Sequence, residues 1–283
     1  MVVTDSTASL PPGVAQEWGI EVVPLEVMVD GARHHEGVDL TAAELLAALS
    51  TGRTVTTSQP SPAAFARAYA RAADRGAREI VSVHVSGELS GTVRAAELAA
   101  LAARVPVHVV DSRSVAMGLG LAAVEAARVV AGATGTGAAD GAAAAERARR
   151  VAASATTLFL VESLEHLRRG GRVGAAAAAM GTVLGLRPLL GVRSGRIEVV
   201  EKVRTRAAAR NRLEAIAATD CLARGAARVV VHHLGQPDVA AALARRLEAR
   251  LGAVVSGVEV SEISAVVAVH AGPGLLAVVV ADR

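Results

Sequence analysis

Short runs rich in Val and Ile alternate along the chain with longer stretches rich in Ala, Arg and Glu. The short runs predict β-strands and the longer stretches predict helices, because β-branched residues favour strands and straight-chain residues favour helices. The predicted strands cover residues 2–3, 22–29, 80–85, 107–110, 158–161, 197–200, 229–232, 254–260 and 276–280. This alternation predicts an α/β protein with largely parallel strands.

Local signals mark two helix starts and one domain boundary. Thr41 followed by Glu44 forms a capping box, and Ser61 before Pro62 places a capping hydroxyl ahead of a proline at the first helical position. Residues 132–141 are rich in Gly, Ala and Thr, and a helix is predicted from there to about residue 154. A boundary at this point predicts an N-terminal α/β domain over residues 1–153 and a C-terminal α/β domain over residues 154–283.

Residues 263–281 lack charged side chains and are about long enough to span a bilayer. His270 and the run Gly272, Pro273 and Gly274 interrupt this stretch, so it predicts two buried strands flanking a turn. The chain opens with a strand pattern instead of a basic leader. We therefore expect a cytoplasmic protein without stable membrane insertion.

The composition excludes several function classes. Hydrophobic residues make up 52% of the chain, which is enough for a sizeable core. The four aromatic residues, Trp18, Phe65, Tyr69 and Phe159, are too few for a stacking platform that binds single-stranded nucleic acid. The net charge is only +3, and the arginines alternate with acidic residues as on a solvated helix face, so no nucleic-acid partner is expected. Cys221 is the only cysteine, which excludes a disulfide framework.

Hydroxyl-bearing side chains and glycines cluster where strands should end. The four clusters cover residues 4–7, 56–61, 86–92 and 111–114. In open α/β sheets ligands bind at the carboxyl ends of strands, and helix N-termini there favour anions. Each cluster alone is also typical of an ordinary helix cap. Together they indicate a small anionic group held by neutral donors.

Two further segments add a charge and a titratable ring. Arg172 follows Gly170 and Gly171, which would let the backbone approach a ligand while the guanidinium supplies paired donors. His270 stands beside the Gly272–Gly274 turn; a lone histidine in such an apolar stretch is also typical of core packing.

Familiar enzyme and cofactor motifs are missing or incomplete. The chain has no phosphate-binding loop of the Gly-x-x-x-x-Gly-Lys type and no Gly-x-Ser-x-Gly nucleophile elbow. Residues 118–123 match Gly-x-Gly-x-x-Ala, but the acidic residue of a dinucleotide site is missing. The spacing of His34, His35, Glu36 and Asp39 fits no standard metal site and predicts a polar hairpin tip. We expect neither a cofactor nor a metal.

An ordered set of motifs spans nearly the whole chain. It comprises residues 3–7 (VTDST), 57–61 (TSQPS), 86–92 (SGELSGT), 110–112 (VDS), 167–172 (LRRGGR), 186–190 (LRPLL), 202–205 (KVRT) and 270–274 (HAGPG). In this order the motifs resemble those of the DegV family of bacterial fatty-acid-binding proteins.

The resemblance implies two α/β domains with a ligand tunnel between them and a long-chain fatty acid, such as palmitate, as the bound ligand. It implies a carboxylate site formed by Thr57, Ser58, Ser90, Arg172 and His270. It further implies a carrier without catalytic activity that presents its ligand to a separate fatty acid kinase for acyl-phosphate formation, with Arg204 at the docking surface.

The residues themselves add two expectations to this picture. The apolar stretch 175–190 could form a tunnel wall, although ordinary core packing explains it equally well. Glu88 would repel a carboxylate if it pointed inward, so it should face solvent or an arginine.

Two alternatives stay open from the sequence. The protein could be an acyl- or phospho-transferring enzyme with Ser90 or Ser112 as nucleophile, which needs a base such as His84, His108 or His270 within hydrogen-bond reach. It could also be a regulatory protein whose lipid is structural.

Overall fold

The computed structural model describes residues 1–132, 140–174 and 187–283. The helices in these ranges are α1 (Val14–Glu17), α2 (Ala42–Ser50), α3 (Pro62–Asp74), α4 (Thr92–Ala100), α5 (Met117–Gly132), α6 (Gly141–Ser154), α7 (Glu165–Arg169), α8 (Arg206–Arg224), α9 (Pro237–Leu251) and α10 (Ala265–Ala271). Short 3₁₀ turns cover Ser6–Ala8 and Gly252–Val254. None of the described helices combines the length and apolar character needed to cross a bilayer.

The strands before residue 112 are β1 (Val2–Asp5), β2 (Glu21–Val23), β3 (Glu26–Val29), β4 (Ala32–His35), β5 (Val55–Ser58), β6 (Ile80–His84) and β7 (Val107–Asp111). Those after residue 155 are β8 (Thr156–Leu160), β9 (Arg187–Arg193), β10 (Arg196–Val203), β11 (Ala227–His233), β12 (Val255–Glu262) and β13 (Leu276–Asp282).

The strands form three sheets. A four-stranded sheet has the order β2-β1-β6-β7, a three-stranded sheet β4-β3-β5, and a six-stranded sheet β10-β9-β8-β13-β11-β12. The four-stranded sheet is entirely parallel, and the three-stranded sheet is antiparallel. In the six-stranded sheet only β11 and β12 pair in parallel. The α/β class is confirmed, whereas the expectation of largely parallel strands is wrong for the six-stranded sheet.

Two predicted elements need correction. The single strand over residues 22–29 is divided by Pro24 and Leu25 into β2 and β3, which belong to different sheets, because proline cannot donate to a ladder. Residues 263–281 form the helix α10 and the strand β13 instead of two strands. The Ser264 side chain caps α10 by accepting from the Val267 amide, and a short apolar run cannot be distinguished as helix or strand by periodicity.

Both predicted helix starts are confirmed. Thr41 and Glu44 form the reciprocal capping box of α2. The Ser61 hydroxyl caps α3, with Pro62 as the first helical residue.

Two hydrophobic clusters join the parts of the chain before and after residue 155. In one, α5 and α6 pack between the four-stranded sheet and residues Val230, Val279 and Ala281 of the six-stranded sheet. The other combines Leu25, Val27 and Leu45 with residues of β8, α7 and α10. The strands therefore fall into two α/β halves that share buried surface, while the boundary between residues 153 and 154 stays a prediction.

Candidate functional site

A pocket lies within the second of these clusters, between residues from both halves. The space between its walls that no atom occupies measures about 910 Å³, part of it open to solvent. The apolar lining consists of Leu25, Val85, Leu89, Val115, Ala116, Phe159, Leu167, Val192, Ile197, Ile263, Val266, Val267, Ala271, Leu275 and Ala277.

The five residues predicted to bind a carboxylate, Thr57, Ser58, Ser90, Arg172 and His270, all line this pocket. Thr57 and Ser58 end β5, Ser90 precedes α4, Arg172 follows α7, and His270 lies in the last turn of α10. Arg204 is exposed between β10 and the Thr205 cap of α8 and is not among the lining residues. The structure thus brings the five together and leaves the predicted docking residue outside the pocket.

Thr57 and His270 form a hydrogen-bonded polar pair in the pocket wall. Thr57 Oγ1 lies 2.8 Å from His270 Nε2. Burial, assisted by the positive charge of Arg172, lowers the pKa of His270 to about 4. The imidazole is therefore neutral at pH 7, and a neutral ring has one donor and one acceptor nitrogen. If Nε2 carries the proton, it donates to Thr57 and leaves the threonine hydroxyl free to donate elsewhere.

Gly170 allows the end of α7 to approach this pair. A Cβ at Gly170 would stand 2.2 Å from His270 Nδ1. Any larger residue would push the His270 ring away from its present place. Close packing against this ring therefore explains why Gly170, the first glycine of the motif, is a glycine. Gly171 has a φ of +72°, which is the left-handed region that favours glycine.

The guanidinium of Arg172 ties the C-terminal half to the turn before α4. Its Nε donates to the carbonyl of Leu89 at 3.0 Å, and its Nη1 donates to the carbonyl of Gly170. No acidic side chain in the described ranges pairs with Arg172. Two of its five N–H groups are engaged by these carbonyls, so further donors and a full positive charge remain at the pocket wall.

Ser90 belongs to a compact turn that leads into α4. Its Oγ lies 2.8 Å from Thr92 Oγ1, and its amide donates to the carbonyl of Ser86. A Cβ on Gly91 would come within 2.0 Å of Gln59 Oε1. The glycine therefore lets the segment after β5 lie directly against this turn, which brings Thr57 and Ser90 to the same pocket.

Ser58 is less directly placed than Thr57. Successive side chains of a strand point to opposite faces; Thr57 is half-buried, whereas Thr56 and Ser58 are exposed. The Ser58 hydroxyl donates to the carbonyl of Gln59 at 3.3 Å. Ser58 therefore contributes to the mouth of the pocket and not to its interior.

Glu88 turns away from the pocket, as expected. Its carboxylate pairs with Arg196 at 2.7 Å, and both side chains are largely exposed. The same contact joins the turn before α4 to the tip of the β9–β10 hairpin. Ser86 Oγ adds a hydrogen bond to the carbonyl of Gly195 at 2.8 Å.

Most of the apolar wall of the pocket was not predicted from the sequence. Thr157 and Phe159 from β8, Val192 from β9 and Ile197 from β10 line the pocket. The wall expected over 175–190 lies outside the described residues up to position 186; Leu190 is buried in the core but does not line the pocket. The uncharged stretch 263–281 could have predicted part of this apolar wall, because it forms α10 and β13, which line the pocket.

The enzyme alternative requires a base beside a serine. Ser90 bonds to Thr92, and Ser112 donates to the carbonyl of Ser114. Among the described residues neither serine is hydrogen-bonded to His84, His108 or His270.

A triad-like chain does occur elsewhere. Asp5 Oδ2 lies 3.0 Å from His84 Nδ1, and His84 Nε2 lies 2.6 Å from Ser82 Oγ. All three side chains are completely buried, and Tyr69 closes the chain by bonding to Ser82. This chain joins β1 to β6 inside the core, where no substrate can reach the serine.

The polar segment around His34 and His35 forms no metal site in the part of the chain that the structure describes. His34 and His35 lie on β4 beside Asp39. Glu36 instead turns inward, where its Oε1 accepts from the Val266 amide at 2.9 Å, and burial raises the pKa of this carboxyl.

Comparisons with known proteins agree with this architecture. A family model described as "Uncharacterised protein, DegV family" matches residues 1–283. A DegV domain-containing protein of Streptomyces coelicolor is 47% identical over 282 residues, covering 100% of this chain and 98% of the relative. A solved structure described as fatty acid binding of a DegV family protein from Thermus thermophilus is 36% identical, covers 100% of this chain and 99% of its own, and superposes with a TM-score of 0.89. A Bacillus subtilis structure described as DegV, a fatty acid binding protein, is 27% identical, with a TM-score of 0.91 and coverage of 100% and 98%.

Proposed function

This chain belongs to the DegV family, and we propose that it binds one long-chain fatty acid in the pocket between its two halves. The observation that carries the proposal is the division of the lining. Hydroxyls, an arginine and a neutral histidine meet at one part of the wall, and the remainder is almost entirely aliphatic. Such a surface matches a molecule with one small anionic group and a long apolar chain.

The polar residues can compensate for burying a carboxylate. An ionised carboxylate in an apolar site is costly unless hydrogen bonds converge on it or a positive charge lies nearby. Thr57 and Ser90 supply neutral donors, and Arg172 supplies charge next to them. His270 stays neutral because burial lowers its pKa to about 4. It therefore acts through Thr57, by orienting the hydroxyl toward the ligand.

The aliphatic wall supplies the larger part of the binding free energy. Each methylene transferred from water to an apolar site contributes about 0.8 kcal/mol. A long chain therefore outweighs the head group, and the head group chiefly fixes orientation. Phe159 is the only aromatic residue of the lining, so the wall is built from branched aliphatic side chains.

We further propose that the protein is a carrier without catalytic activity of its own and presents the carboxylate to a separate fatty acid kinase. This is supported by the hydrogen bonds of Ser90 and Ser112, neither of which is made to a histidine within the described ranges. The exposed position of Arg204, away from the pocket, agrees with a role at the docking surface.

Mass spectrometry of the purified and denatured protein tests the first proposal. We expect one equivalent of fatty acid per chain, and delipidated protein should take up added palmitate or oleate. A protein that carries no fatty acid and also refuses both acids would refute it.

Two arginine variants separate binding from presentation. Arg172→Ala should weaken fatty acid retention because it removes the charge at the pocket wall. Arg204→Ala should retain the ligand at the wild-type level but lower acyl-phosphate formation when a fatty acid kinase is added. Equal loss of ligand in both variants, or full acyl-phosphate formation by Arg204→Ala, would contradict this division of roles.

A further inference from the structure

The pocket lies beside a second cavity, and two side chains line both. Thr157 and Val192 are the residues shared between the lining of the pocket and that of this second, open cleft. This cleft is lined in part by aliphatic groups, among them Ala152, Ala153 and Ile216.

Thr157 and Val192 are direct neighbours across two strands. Thr157 on β8 pairs with Val192 on β9 in antiparallel register. Val192 in turn pairs with Ile197 on β10, which also lines the pocket. Because paired residues on adjacent strands share one face of a sheet, their side chains form a continuous strip one residue thick.

Thr157 lies near the first residue of β8, whereas the polar residue Arg172 comes after the last residue of this strand. β8 runs from Thr156 toward α7, and Arg172 follows α7. From Thr157 to Val161 the extended chain advances about 13 Å. A fatty acid whose carboxylate lies near Arg172 and whose chain follows β8 would therefore run toward Thr157 and Val192, away from the polar groups.

Resting on the proposed function, we infer that the pair Thr157 and Val192 forms the end wall of the pocket and limits the length of the acyl chain. Val192 is half-buried, as expected for a side chain with a cavity on either side. Thr157 is 4% exposed, and its Oγ1 lies 3.0 Å from the place of a Cβ on Gly118, so its hydroxyl faces α5. Val192 is therefore the side chain whose removal opens the wall most directly.

The test compares Val192→Ala with Val267→Ala. Both substitutions remove the same two methyl groups from the pocket lining, but Val267 does not border the second cavity. Delipidated wild type and both variants are titrated with a homologous series of saturated fatty acids. Ligands extracted from the same proteins after expression in one medium are measured by mass spectrometry.

We expect Val192→Ala to prefer longer acids than the wild type, with an affinity gain of about fourfold for each methylene that enters the second cavity. Val267→Ala should keep the wild-type length preference. Val192→Leu, which fills the passage further, should move the preference toward shorter acids.

Several outcomes would overturn the inference. One is an unchanged length preference in Val192→Ala while it still binds fatty acid. Another is an equal shift in Val192→Ala and Val267→Ala, which would make added volume, and not the position of the wall, the cause. A wild-type protein that binds no fatty acid would refute the proposed function itself and is detected before either variant is compared.

Discussion

Replacing Thr57 with valine removes one oxygen from the polar part of the pocket wall and keeps the branched shape of the side chain. That oxygen lies 2.8 Å from His270 Nε2. Since burial lowers the pKa of His270 to about 4, the pair is neutral at pH 7. In the proposed complex Nε2–H donates to Thr57, and the threonine hydroxyl donates to the carboxylate. Thr57→Val therefore breaks a hydrogen bond to a charged group and leaves the histidine without its partner.

The size of the effect follows from the charge of the acceptor. A hydrogen bond to a charged group contributes about 1.5–3 kcal/mol, so the dissociation constant should rise about 10- to 150-fold. Thr56→Val is the matched control, because Thr56 precedes Thr57 on β5, is exposed and points to the opposite face. A surface substitution of this kind changes free energies by less than about 0.5 kcal/mol, so the control should stay within about twofold of wild type.

Displacement of a fluorescent fatty acid from delipidated protein measures the constants, and denaturant unfolding of the free variants checks that both remain folded. The methyl ester of the same acid provides a second comparison, since it lacks the charge. Thr57→Val should bind the ester nearly as well as wild type does. The reasoning is refuted if Thr57→Val and Thr56→Val bind the acid equally well, or if the ester loses as much affinity as the acid.

Three further predictions concern stability. Burial raises the pKa of Glu36 above the ordinary value of 4.5, so its ionisation destabilises the fold as pH rises beyond that value. Glu36→Gln keeps an acceptor for the Val266 amide, so this variant should unfold at a higher denaturant concentration than wild type at pH 7. The difference between the two proteins should shrink toward pH 4.5, and a difference that is independent of pH would contradict this. Burial lowers the pKa values of His270 and His232 to about 4, so the free energy of unfolding should fall by about 3 kcal/mol for each ring as pH drops from 6.5 to 4. Urea titrations of His270→Gln should show a smaller fall than those of wild type, and an equal fall would contradict the lowered pKa of His270. Gly170→Ala should cost about 1–3 kcal/mol, because the new Cβ would stand 2.2 Å from the His270 ring, and a thermal melt identical to wild type would contradict the contact.

The sequence was informative where a local signal has one physical solution. The capping residues Thr41 and Ser61 start helices as predicted, since a hydroxyl before a helix has few other uses. The parallel four-stranded sheet also follows from alternating strands and helices. The order of the motifs along the whole chain is specific even where each motif is weak, and it led to five polar residues that line one pocket; their role in binding stays a prediction.

The sequence was uninformative where the outcome depends on distant partners. β5, which carries Thr57, was not among the predicted strands, because its hydroxyl-rich run becomes a strand only by pairing with β3. The sequence predicts a strand where the helix α10 lies, because uncharged residues lack the polar positions that reveal a helical period. The juxtaposition of Thr157 and Val192 depends on the register of β8 and β9, which no local pattern encodes.

The turn before α4 shows why one short motif can be so specific. Ser90 lines the pocket, the Leu89 carbonyl accepts from Arg172, Glu88 pairs with Arg196, and Ser86 donates to Gly195. Three residues of this turn thus make contacts that reach across to the other half of the chain, and a fourth, Ser90, lines the pocket. A ligand held between Ser90 and Arg172 would add its binding free energy to these contacts, because a ligand that binds only the folded state stabilises it. The same turn therefore contributes to the pocket and to the contacts between the two halves. A substitution in this turn should change both ligand binding and the stability of the contacts between the halves.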